Sequence, residues 1–150
     1  MSTILHPTTT PDSTMLSLGR WQAVLATTAA SVVGNLAIYL VALIAGGSLE
    51  VIDKGAAKPI SASGIVGISA LPTAIGVGLV VLLSLRWPAM IRVGQVVGAA
   101  LPLLTIALAA MADTDGITKT ALILMHVLMA AAIVAGLELL HRRVVGRANG

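Results

Sequence analysis

Four stretches of the chain contain no charged residue: Trp21–Leu49 (29 residues), Pro59–Leu85 (27), Val93–Ala112 (20) and Thr120–Leu137 (18). None alternates apolar with polar positions, so none reads as a half-buried strand. A helix rises 1.5 Å per residue, and about 20 apolar residues cross a 30 Å hydrocarbon core. Lipid offers no partner to a free N–H or C=O, so each run must close its backbone hydrogen bonds as a helix. Strands of a membrane barrel would alternate in polarity, which excludes that architecture. The pattern predicts an all-α membrane protein, a four-transmembrane-helix bundle with helices near 20–45, 62–86, 91–112 and 118–141. The first apolar run exceeds a signal peptide's apolar core and no A-x-A site follows it, so it is expected to stay as helix 1.

The segments between the runs are polar. Residues 1–19, MSTILHPTTTPDSTMLSLG, show no apolar period and are expected to form a disordered cytoplasmic tail. In GGSLEVIDKGAAKPIS (46–61), two β-prone pieces, Leu49–Ile52 and Pro59–Ser61, flank a KGAAK turn. A lone hairpin is marginal in water, so it would have to rest on the bundle; a disordered loop is the alternative. DTDGITK (113–119) carries an Asp-Gly turn and Asp or Thr residues placed to cap helix 4. Residues 142–150 are expected to form a basic cytoplasmic tail that meets anionic headgroups.

Composition agrees with the pattern. The 150 residues are 57% hydrophobic and 10% charged, with a mean hydropathy of +1.01, against about 25% charged in soluble domains. A soluble fold and a disordered chain are excluded. The net charge of +3 arises from nine basic residues that sit at the ends of apolar runs and form no stripe, so no nucleic acid is expected as a partner. There is no cysteine, which excludes disulfides, thiolate metal centres and dithiol relays. The three histidines lack metal-ligand spacing, and no cofactor or metal is expected.

Orientation follows from the basic residues. Arg20, Arg86, Arg92, Arg142, Arg143 and Arg147 fall on one side, and Lys54, Lys58 and Lys119 on the other. The positive-inside rule then places both termini in the cytoplasm, with Trp21 and Trp87 at that interface. Arginine outnumbers lysine and phenylalanine is missing, which suggests a GC-rich bacterial genome and a bacterial cytoplasmic membrane.

Every helix carries small residues at a spacing of four: Ala26, Ala30 and Gly34; Ala70, Ala74 and Gly78; Gly94 and Gly98; Ala132 and Gly136. Such seams let helices approach closely in lipid, within one chain or in a homodimer, and packing within the chain is the expectation. Pro72 and Pro102 each follow the dipeptide Ala-Leu near mid-helix. Each removes one backbone hydrogen bond, through a packing distortion or, alternatively, a broken helix lining a mid-membrane site.

Polar groups in hydrocarbon are costly and carry the functional signal. Thr27 or Thr28, Ser31, Asn35 and Tyr39 share one face of helix 1. His126 lies two turns into helix 4, at the depth expected for Asn35 and Tyr39. These three, with Asp113 at the mouth, form the candidate ligand-binding site, an outward-facing polar site. The competing account is a structural bond from His126 to Asn35 or to a backbone carbonyl. No carboxylate is expected within any span, which argues against a proton-coupled antiporter of the small multidrug type.

DTDGITKTALILMHVLMAAAIVAG (113–136), with Leu124-Met125-His126 after an acid-bearing turn, resembles the last hairpin of a family of small actinobacterial four-helix integral membrane proteins of unknown function. Asn35 and Tyr39 followed by Ala45-Gly46, and the Leu-Pro of helix 2, extend the likeness over most of 20–140. The resemblance implies topology and brings no activity. A non-enzymatic structural or accessory membrane component is therefore expected, with the bilayer and a membrane partner protein or homodimer as partners. The alternative is a carrier or binder of a small apolar or lipidic molecule near His126. A bond between His126 and Asn35 favours the first, and a cavity beside His126 favours the second.

Overall fold

The computed structural model describes residues 13–148, with side chains described for 19–145. Its elements are α1 (Ser13–Ile44), β1 (Glu50–Asp53), β2 (Ala56–Pro59), α2 (Ala62–Arg86), α3 (Met90–Met111) and α4 (Gly116–Ala148). Four helices are long and apolar enough to cross a membrane, and at most 33% of each span's most apolar window is buried inside the protein. The remainder is a broad apolar surface, including Leu25, Val33, Leu71, Leu104 and Leu108. In water that surface would be prohibitive; in a bilayer it is the solvated face.

Two boundaries differ from expectation. Helix α1 starts at Ser13, so residues 13–19 are helical, and the disorder expected for residues 1–12 lies outside the described residues. Helix α4 runs to Ala148, through the basic segment expected as a tail. Glu138 lies inside the fourth span, Gly116–Val145, as it does inside the expected helix 118–141, so the expectation that no span holds a carboxylate fails. It is tolerated because Arg92 Nη1 and Arg142 Nε each donate to it at 2.9 Å, and Gln95 Nε2 donates at 3.0 Å.

The loop 46–61 is a hairpin. Lys54 (φ +53°) and Gly55 (φ +79°) both take left-handed backbone, the geometry of a two-residue turn that matches strand twist. Asp53 therefore pairs with Ala56 and Glu50 with Pro59. The expected second strand, Pro59–Ser61, is displaced, because Ser61 caps α2 by accepting from the Gly64 N–H at 3.1 Å. The hairpin does not stand alone. Ile52 N–H donates to the Asp113 carbonyl at 2.9 Å, and the Thr114 hydroxyl donates to the Glu50 carbonyl. One end of the bundle thus carries the hairpin and the 112–115 turn; the other, the termini end, carries the α2–α3 turn, the start of α1 and the end of α4.

Helix order follows from glycine. A Cβ added at Gly136 would overlap Thr27 Oγ1 of α1, and one at Gly34 would meet Leu128 of α4 at 2.8 Å. At Gly98 it would meet Ile133 of α4 at 2.5 Å, and at Gly94 Val80 of α2 at 2.4 Å. The seams of α1, α3 and α4 therefore serve contacts within the chain, whereas Gly78 of the α2 seam has nothing within 4 Å. Helix α1 packs on α2 and α4, and α4 packs on α3, whereas α2 and α3 share few contacts despite the short turn that joins them. The order around the bundle is α2, α1, α4, α3. Its open side lies between the two proline-bearing helices. A buried cluster of Val77, Val81, Ile91, Leu137 and Leu140 fills the termini end, and one of Ala42, Leu49, Ile65, Ala121 and Met125 fills the hairpin end.

Gly136→Ala should cost about 1–3 kcal/mol, because the buried Thr27 side chain has no room to yield. Gly76→Ala is expected to leave stability unchanged or higher, since open space surrounds that position and alanine favours the helix. Thermal unfolding of both variants in detergent checks the pair.

Candidate functional site

The helix angle decides where the expected site residues point. Gly34 faces Leu128 of α4, so Asn35, about 100° further round, faces α2. There Asn35 Nδ2 donates to Ser69 Oγ at 2.8 Å, with both residues buried. On α4, Leu128 faces α1, so His126, about 200° away, faces the opposite side. His126 Nδ1 bonds the Leu122 carbonyl of its own helix at 2.7 Å. A carbonyl only accepts, so Nδ1 is the donor of this bond. Of the two structural partners expected for His126, Asn35 or a backbone carbonyl, the ring takes the carbonyl, and that of its own helix.

The other two residues lie elsewhere. Tyr39 is half-buried against the cluster of Ala42, Leu49 and Met125 at the hairpin end. Asp113 contributes its carbonyl to Ile52, and it is an exposed residue. Asn35, Tyr39, His126 and Asp113 thus do not surround one cavity.

His126 instead lines a cleft of about 490 Å³ on the open side of the bundle. Its walls are α2, with Pro72, Thr73 and Gly76, and α3, with Gly98, Pro102 and Thr105; α4 forms the floor through His126 and Ile133. Pro72 lies ten residues from the start of α2 and His126 ten from the start of α4. Both are therefore about 15 Å from the hairpin end. Pro102, nine residues from the end of α3, lies at about 14 Å. The two Ala-Leu-Pro segments and His126 meet at one depth, a juxtaposition that sequence spacing did not reveal. The matched tripeptides were its only signal, and their meaning depended on knowing that α2 and α3 stay apart.

Volume and lining place the cleft in the range of pockets that hold small ligands, mostly apolar with a few polar groups. Exposed Ile68, Leu101 and Leu104 border it, so it opens sideways toward the hydrocarbon rather than toward water. Among the described residues no three His, Asp or Glu side chains gather closely enough to hold a metal ion.

Two further polar features frame the helices. Thr27, Ser31 and Asn35 form a buried file on α1; the two hydroxyl oxygens and Asn35 Oδ1 have no hydrogen-bond partner among the described residues, nor does Thr73 Oγ1. At the hairpin end, Asp115 caps α4: Oδ1 accepts from the Ile117 and Thr118 N–H groups at 2.9 and 3.0 Å. Its Oδ2 accepts from the Ser48 hydroxyl at 2.6 Å and the Ser48 N–H at 3.0 Å. Thr118 Oγ1 then accepts from the Leu49 N–H at 3.0 Å, holding Leu49 in left-handed backbone at φ +50°. The Ser48 hydroxyl, and after it the Thr118 groups, hold the Asp115 carboxyl well below the usual range.

The chain belongs to a family of unknown function, DUF6069, whose family model matches residues 17–143. No curated protein and no solved structure matches it.

Two measurements check these contacts. Asn35→Leu leaves Ser69 without its donor, and a double-mutant cycle with Ser69→Ala should return a coupling of about 0.6–2 kcal/mol in detergent unfolding. For Asp115, the folded pKa lies below the unfolded value, so its stabilisation is complete above the unfolded value and is lost as pH falls through the folded one. The stability gap between the protein and Asp115→Asn should be constant near neutrality and narrow below about pH 4. A gap that stayed flat down to pH 3 would show that the carboxylate does not hold the hairpin end.

Proposed function

Given that membership, which assigns no activity, we propose that this is a non-enzymatic, multi-pass membrane component that takes an apolar or lipidic molecule from the bilayer into the cleft between α2 and α3. The observation that carries this reading is the 490 Å³ cleft itself. The seams close to contact at Gly34, Gly98 and Gly136, while Gly76, on the α2 wall of the cleft, has nothing within 4 Å of the position where a Cβ would stand. Open space beside a lipid-facing gap is filled by whatever the surrounding solvent supplies, and in a membrane that solvent is hydrocarbon. His126 contacts the cleft without a carboxylate beside it in the lining, which supports binding rather than acid–base chemistry.

The termini end is assigned to the cytoplasm of a bacterial cell. Arg20, Arg86, Arg92, Arg142 and Arg143 lie at that end, and Lys54, Lys58 and Lys119 lie at or beside the hairpin end. Uptake from the bilayer needs no opening toward either aqueous side.

Native mass spectrometry of the gently solubilised protein tests the reading. A retained apolar or lipidic adduct is expected, and Gly76→Leu, whose Cβ meets nothing within 4 Å and whose side chain extends from the cleft wall, should abolish it while leaving thermal stability unchanged or raised. An adduct-free protein, or an adduct indifferent to Gly76→Leu, would overturn it.

A further inference from the structure

The bond between Asn35 and Ser69 fixes the register of α1 against α2. The two helices run antiparallel, so four residues back from Asn35 and four on from Ser69 both lead about 6 Å toward the termini end. Those steps reach Ser31 and Thr73. The same pairing continues on either side: Ala42 and Ile65 share the apolar cluster toward the hairpin, and Val24, Val77 and Val81 share the one toward the termini. Ser31 stands one turn from Asn35, which faces α2, and one turn from Thr27, which faces α4, so its side chain points into the bundle. Ser31 is 0% and Thr73 1% exposed. Both are at mid-membrane: Ser31 lies twelve and thirteen residues from the ends of Gly19–Ile44, and Thr73 eleven and thirteen from those of Ala62–Arg86.

Three oxygens at this level are unpaired. Ser31 Oγ, Thr73 Oγ1 and Asn35 Oδ1 have no hydrogen-bond partner among the described residues. A helical hydroxyl can bond back to its own backbone, as Ser84 does to the Val81 carbonyl at 2.7 Å and Thr120 to the Gly116 carbonyl at 2.8 Å. Ser31 and Thr73 do not take that route, and their hydroxyls lie at one depth on facing helices. Thr27, also unpaired, packs directly on Gly136 instead.

We infer that the seam between α1 and α2 holds a buried water at the bilayer midplane, bonded to Ser31, Thr73 and Asn35. Three bonds are what a buried water ordinarily makes. Asn35 Oδ1 only accepts, while each hydroxyl carries a proton that needs an acceptor, so the guest must donate and accept at one atom. A cation would engage lone pairs alone, and no acidic residue lies on either span to balance its charge. An apolar guest would leave all three groups unpaired. The two apolar clusters close the site at both ends, and it is independent of what the cleft holds. Its effect is positional. Helix α2 is a wall of the cleft, and the water ties that wall to α1 one turn below the Asn35–Ser69 bond.

The full chain in detergent provides the test, with circular dichroism to confirm that each variant is folded. Magnetic relaxation dispersion of the water oxygen nucleus counts waters held for longer than the protein takes to tumble. The protein should lose one such water when Ser31→Ala and Thr73→Val are combined. Thr105→Val, which removes a hydroxyl already donated to the Pro102 carbonyl, should leave the count unchanged. Thr73→Val alone keeps the shape of the side chain, so the sign of its effect is informative. With water bound, a hydrogen bond is lost and Tm falls by about 2–4 °C. In a dry seam the substitution removes an unpaired buried hydroxyl, and Tm rises. An unchanged count in the double variant, or a raised Tm for Thr73→Val, would overturn the inference.

Discussion

Close approach at glycine governs this molecule. Helices in lipid gain little from hiding apolar surface, because the solvent around them is as apolar as they are. Their association depends on how near the backbones come, and here Gly34 and Gly136 set the contact between α1 and α4, while Gly98 sets that between α3 and α4. Helix α4 is thereby clamped on two sides. Gly94 against Val80 provides a comparable contact between α2 and α3 near their connecting turn. Beyond it the two helices separate, and the cleft is the result.

The prolines fit the same account. A mid-helix proline inside a tight seam would cost a hydrogen bond and distort the contact. Pro72 and Pro102 occur instead on the two helices that border the open side, where their neighbours leave room. The polar groups are divided between two tasks. Asn35 with Ser69 holds α1 to α2, and the Arg92–Gln95–Glu138–Arg142 network joins α3 to α4 toward the termini end. His126 remains at the cleft.

The hairpin end is organised differently, by polar chemistry that water permits. Asp115 is at once the cap of α4 and the acceptor for Ser48, so one carboxylate ties the segment after α1 to the start of α4. The β-hairpin, too short to stand alone, gains a bridge to Asp113 and a buried anchor at Leu49. This polar lid fixes the spacing of the helices beneath it without entering the cleft.

By itself the sequence determined the four spans, the Asp-Gly turn that leads into the capped α4, and the concentration of arginine at one end. Each of these follows from a local property, whether hydropathy over about 20 residues, a capping side chain or the cost of moving a charge across lipid. Its helix boundaries were accurate where a cap or turn marks them, as at Ser61, and short where helix continues into polar sequence, as at Ser13 and Ala148. Only the tertiary structure decided which polar residues meet. Asn35 and His126 were expected at one site because they share a depth, but meeting also needs a shared azimuth, and a turn of about 100° per residue sends Asn35 to α2 and His126 to the cleft. Glu138 reads as the end of an apolar run until Arg92, 46 positions earlier, is brought beside it. The cleft is a property of the helix order α2, α1, α4, α3, and that order is set by which glycine meets which side chain across the bundle, a long-range relation that no local pattern encodes.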